Sequence, residues 1–163
     1  MEQLFLEMMK FYSGDPHQIQ HFTKVHSFAR LIGLGESIDA NTLHILEAAA
    51  ILHDIGIKPA LQKHGSSSGP YQELEGPPLA EAMLSRLAYP RQVIDRVSYL
   101  VGHHHTYTNM DGLDYQILVE ADFLVNMHEG SMSTSAIQST LKKIFRTKTG
   151  ITYCQTMFDV QQL

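Results

Sequence analysis

The stretch "AAAILHDIGIK", residues 48–58, decides how this chain is read. An apolar run at residues 48–52 ends in two adjacent side chains, His53 and Asp54, both able to bind a metal. Adjacent residues on a helix point about 100° apart. Both reach one ion only where the helix ends, and the remaining ligands must come from other helices, as in metal sites built inside bundles.

Working outward, the punctuation is helical. Upstream, "GDPHQIQHFTKVHSFARLIG" places Asp15 as N-cap and Pro16 at the first helical position, with Phe22, Val25, Ala29 and Ile32 at three- and four-residue spacing. Gly33 and Gly35 end that helix, and Asp39 or Asn41 caps the next, which runs into His53. Downstream, "KPALQKHGSSSGPYQELEG" reads as a long loop, of the kind that is more often functional than idle. Pro77 starts a helix, Pro90 separates it from "RQVIDRVSYLVGHHH", and a Gly-, Asn- and Asp-rich turn leads to "YQILVEADFLVNMHEG". "STSAIQSTLKKIFRTKTG" reads as one capped helix ended by Gly150, with a last short helix in the tail. The expectation is one all-α domain over 1–163, about six or seven helices by pattern reasoning, with the C-terminal helices of 133–163 packed on it.

The bulk numbers bound the function classes. The chain has 163 residues, a net charge of −5, ten histidines and a single cysteine, Cys154. No Lys/Arg cluster marks a nucleic-acid partner. No apolar run is long enough to span a membrane, and the start lacks the basic region of a secretory signal. A lone cysteine excludes an internal disulfide and suits a reducing compartment. The expected setting is cytoplasmic, and a homodimer is the commonest default.

Two more candidate ligands stand beside apolar stripes. His26 follows Val25 and lies four residues after Phe22. Asp122 sits in "LVEADFLVNM" between Leu118 and Val125, so its carboxylate faces or borders the core. A buried unpaired carboxylate is costly, and a cation is the simplest compensation. Taken singly, each has an ordinary reading, as a boundary histidine or a carboxylate near a helix N-terminus. Taken together they form an order on successive helices: His, His-Asp, Asp.

That order, with "VHSFARLIG", "LEAAAILHDIGIK" and "LVEADFLVNM", resembles the HD superfamily of metal-dependent phosphohydrolases over roughly residues 20–130. The resemblance implies an all-α HD domain in which His26, His53, Asp54 and Asp122 hold a divalent metal. It further implies hydrolysis of a nucleotide or other small phosphate ester by a metal-activated water. Some branches hold a second metal; here its ligands would be Glu75, where the family usually has His, and His103 with His104 from "VGHHHTY", His105 being one residue out of register. Asp54 and Glu75 are then candidate catalytic groups. Lys58 is a candidate for meeting substrate phosphate, and His64 in the long loop a candidate substrate contact. Imidazole and carboxylate suit Mn, Fe, Co, Ni, Zn or Mg, one ion or two. His17, His21, His44 and His128 read as surface or structural. The same resemblance leaves two other activities open: a di-iron oxygenase and a nucleotide-sensing module without turnover.

Overall fold

In the structure, a computed structural model describing residues 1–161, every regular element is helical. Among the described residues nine helices follow one another: α1 (Glu2–Phe11), α2 (Pro16–Gly35), α3 (Ala40–Leu52), α4 (Ile57–His64), α5 (Gly69–Arg86), α6 (Arg91–Val101), α7 (Leu113–Glu129), α8 (Thr134–Ile144) and α9 (Lys148–Phe158). No strand occurs among the described residues, and no helix there is long and apolar enough to cross a membrane. The all-α expectation holds; the number of helices exceeds it.

The centre of the fold is α3, packed against α1, α2, α6 and α7. Its residues Ile45, Leu46 and 48–52 are all buried. A helix whose last five residues are all apolar, and so line every face of its final turn, belongs inside there, and three consecutive alanines let neighbouring helices approach closely. The N-caps read from the sequence are present. Asp15 accepts from Gln18 N at 3.0 Å, and Asp39 accepts from Asn41 N and Thr42 N, each at 3.0 Å. Such caps satisfy N–H groups that a helix start leaves open.

Three boundaries differ from expectation. The expected long loop is instead α4 and the first turns of α5, which begins at Gly69 with Ser68 as N-cap. Pro77 does not start a helix but lies inside α5 with Pro78. An interior proline costs about 3 kcal/mol. Close packing offsets it: a Cβ on Gly102 would meet the Pro77 ring at 2.9 Å, and one on Gly76 would meet Val101 at 2.7 Å. Near the C-terminus, one expected helix is two. Buried Glu120 on α7 accepts from Arg146 N at 2.6 Å, from Thr147 N at 2.9 Å and from the Thr147 hydroxyl, which breaks the helix after Ile144. Thr147 then caps α9, and Gly150 lies within it, because a Cβ there would collide with Glu120.

Candidate metal centre

Beyond Leu52 the chain turns tightly, with Ile55 N on Leu52 O at 2.9 Å and Ile57 N on Asp54 O at 3.0 Å. Tyr12 donates its hydroxyl to the Asp54 carbonyl at 3.1 Å. Gly56 fits because α5 passes against it: a Cβ at Gly56 would stand 2.5 Å from Gln72 O. These contacts aim His53 and Asp54 at one point, where α2 and α7 each add a side chain.

From α2 the contributor is His21. His21 Nε2 stands 3.2 Å from His53 Nε2, 3.4 Å from Asp54 Oδ2 and 3.3 Å from Asp122 Oδ1. His53 Nε2 stands 3.6 Å from Asp54 Oδ2 and 3.4 Å from Asp122 Oδ1. Donor atoms bound at about 2.1 Å to one ion lie about 3.0 Å apart at octahedral corners and about 3.4 Å at tetrahedral ones. Four of the five separations, 3.2–3.4 Å, fall in that range, and the fifth, His53 to Asp54 at 3.6 Å, lies just beyond it. His21, His53, Asp54 and Asp122 are all buried.

The tautomers sharpen the case. His53 Nδ1 faces Ala50 O at 2.9 Å and His104 Nδ1 faces Val101 O at 2.8 Å; carbonyls only accept, so both Nδ1 atoms carry hydrogen. His21 Nδ1 lies 2.8 Å from Glu129 Oε2, with the same consequence. In the neutral rings, Nε2 lone pairs therefore point at one another and at two carboxylates. Only added positive charge makes that arrangement tenable. Burial opposes charge on His21, but Asp122 and Asp54, with Glu129, outweigh it and raise its pKa to about 9. Burial likewise opposes charge on His53, yet Asp54 and Asp122 raise its pKa. Against the same desolvation, His53 and His104 hold the Asp54 carboxyl down to about 2. His21 and His53 lower that of Asp122, again against burial. The pocket is built for positive charge, as protons or as a cation.

Asp54 has a second face. Its Oδ1 lies 3.1 Å from His104 Nε2 and 4.0 Å from His105 Nε2. Asp54, His104 and His105 thus form a second group of donors sharing the carboxylate of the first.

Several expected residues lie elsewhere. His26 pairs with Glu47 at 3.0 Å and packs edge-on to Phe5, so His21 replaces it in the constellation. The reason is register: His21, Val25, Ala29 and Gly33 recur every four residues and are all buried, whereas His26 is one step, about 100°, off that face. The sequence signal was there, since the buried stripe began with a histidine. Glu75 is bound to the Lys63 amino group and, at 2.9 Å, to His64 Nε2; neither Glu75 nor His64 joins the cluster. His103 stacks on Tyr99 at 4.1 Å, outside the cluster, so the pair from "GHHH" is His104 and His105. Lys58 donates to Phe11 O at 3.1 Å and lies over the Phe11 ring.

Residues not singled out by sequence support the centre. Lys24 holds the other oxygen of Glu129, Asn126 donates to Asp122 Oδ1 at 2.8 Å, and Glu73 accepts from His105 N at 3.0 Å. No family model, no curated protein and no solved structure matches the chain.

Proposed function

We propose that the chain is a metal-dependent phosphohydrolase of the HD type, acting on a nucleotide or another small phosphate ester. The observation that supports it is the convergence of the His21 and His53 Nε2 lone pairs with carboxylate oxygens of Asp54 and Asp122. The order along the chain, His21, His53-Asp54 and Asp122, keeps the pattern of that superfamily once His21 takes the place of His26.

The donor set of neutral imidazole and carboxylate suits a divalent first-row ion or Mg. Such an ion, when bound, lowers the pKa of water toward neutrality and offsets the negative charge of phosphoryl oxygens. The chain's own residues prepare the site. Glu129 keeps the His21 proton on Nδ1, so Nε2 faces inward. Asn126 orients the Asp122 carboxylate. Asp54 offers one oxygen to His21 and His53 and the other to His104, which allows it to serve two ions.

The test is to strip the protein of metal, reload it singly with Mn, Fe, Co, Ni, Zn or Mg, and follow phosphate release from a mononucleotide panel. Metal-dependent release is expected, with both metal binding and release lost in Asp54→Ala. Full turnover in Asp54→Ala would overturn the reading. Preferential iron binding with oxygen consumption and no phosphate release would replace it with oxygenase chemistry. Ligand-induced thermal stabilisation without product would replace it with a sensing module.

A further inference from the structure

Solvent reaches the centre past Asp54 and His105. The side chains of His53 and His104 are wholly buried and that of His21 nearly so, whereas those of Asp54 and His105 are 11% and 23% exposed. Tyr107, on the turn between α6 and α7, borders that opening. Its hydroxyl lies 3.4 Å from His105 Nδ1, and its ring packs on Phe123, the residue after Asp122, with centroids 5.2 Å apart.

Three tyrosines are exposed among the described residues, and Tyr107 differs from the other two. Tyr71 lies flat against His64, rings 4.3 Å apart and 4° from parallel. Tyr99 carries His103 stacked at 4.1 Å and the Arg96 guanidinium 5.1 Å from its centroid. Tyr107, 40% exposed, has Phe123 at a tilt of 54°, and no ring or cation lies flat on it among the described residues. The backbone that carries it is nonetheless held. Glu73 accepts from His105 N and from the Thr106 hydroxyl, each at 3.0 Å, and the Tyr115 hydroxyl donates to Thr106 O at 2.5 Å. A tyrosine positioned in this way offers a large flat contact at little entropic cost.

The charge around the ring narrows what it can meet. Burial, with the carboxylates of Asp122, Glu73 and Asp54, pushes the Tyr107 hydroxyl up to about 12, so the ring stays neutral. A second anionic group of a ligand would face those same carboxylates. An uncharged planar group would not, and it would gain the vacant face.

We infer that Tyr107 is a stacking platform for the base of a nucleotide whose phosphate lies at the metal centre, and that it accepts purine and pyrimidine alike. Every base has a π-face, so stacking of this kind tolerates any of them. The inference rests on the phosphohydrolase reading and names the residue that makes a nucleotide a better substrate than a plain sugar phosphate.

The experiment follows phosphate release by the metal-loaded protein from adenosine monophosphate, uridine monophosphate and ribose phosphate. Wild type, Tyr107→Phe, Tyr107→Ala and Tyr107→Trp are compared. Tyr107→Ala should raise KM for both nucleotides by about 5- to 150-fold with kcat little changed, the ratio that corresponds to stacking one base away from the reacting atoms. Ribose phosphate should be the poorer substrate of the wild type and indifferent to Tyr107→Ala. Tyr107→Phe, which keeps the ring, should stay near the wild type. Tyr107→Trp introduces the single indole of a chain that has no Trp. Its fluorescence should be quenched by either nucleotide and not by ribose phosphate, a reading of binding that needs no turnover. Equal turnover of nucleotides and ribose phosphate, a loss in Tyr107→Ala that extends equally to ribose phosphate, or an indole indifferent to nucleotide would each overturn the inference and leave the hydrolase reading standing. No release from any ester, with quenching by nucleotides intact, would end the hydrolase reading and keep the platform in a binding module. Neither release nor quenching would end both.

Discussion

Two clusters of histidine and carboxylate form in this protein, and they behave oppositely. Nearer the surface, Glu75, its own side chain only 12% exposed, lies between the more exposed Lys63 and His64, and His64 stacks on Tyr71 at 4.3 Å. Inside, His21, His53, Asp54 and Asp122 meet with no Lys or Arg within ion-pair reach of either aspartate among the described residues. Both clusters pair histidine with carboxylate. The outer one brings its own fixed cation, Lys63, whose side chain is 61% exposed to water that screens it. The inner one brings lone pairs and negative charge into a dry core, where uncompensated charge is costly. The residue types alone do not mark a group that could hold a metal ion; a buried cluster of histidine and carboxylate that lacks a fixed cation does.

The contrast breaks most directly at two histidines five residues apart. His21→Ala should cost at least about 100-fold in metal affinity, beyond the 10- to 100-fold seen when only an orienting group is lost. His26→Ala should leave bound metal unchanged, because His26 serves Glu47. Equal losses in the two variants, by elemental analysis, would erase the distinction. Metal removal comes next. With free metal at about 1,000 times its dissociation constant, binding adds about 4 kcal/mol to stability, so chelation should lower the melting temperature of the wild type. The same treatment should have little effect on His21→Ala, and a matching shift there would place the stabilising ion elsewhere.

A smaller effect is expected at Glu129, whose carboxylate is 2.8 Å from His21 Nδ1. Glu129→Ala should weaken metal by about 10- to 100-fold without changing the number of ions bound, as a metal titration would show. Smallest of all, Glu75→Ala should leave metal content unchanged and move the melting temperature little, since it removes only the pairs with the more exposed Lys63 and His64. Loss of metal in Glu75→Ala would join the two clusters and undo the comparison.

Much of this was legible in the chain. Asp15 and Asp39 read as caps and are caps. The run at 48–52 announces a buried helix, and Asp122 within an apolar stripe announces a buried carboxylate. Local rules suffice there, because a cap acts within three residues and a stripe within a few turns. The differences between expected and observed placement share another cause. His26 and His21 both adjoin apolar residues, and only the packing of α2 against α3 and α7 selects the face that carries His21. His103, His104 and His105 are interchangeable in a string of letters. The turn after α6, pinned by Glu73, sends one to Tyr99 and two toward Asp54.

By itself, then, the sequence determined an all-helical chain whose central helix ends in a histidine and an aspartate, with a carboxylate inside a later helix. These follow from periodicity, capping and the cost of burying charge, all short-range or compositional. Tertiary structure alone decided which histidines join that pair, that Asp54 shows a different oxygen to each group, and that Glu75 stays with Lys63. Those choices depend on rotations of about 100° per residue and separations of about 3 Å between segments far apart in the chain, and no local rule specifies them.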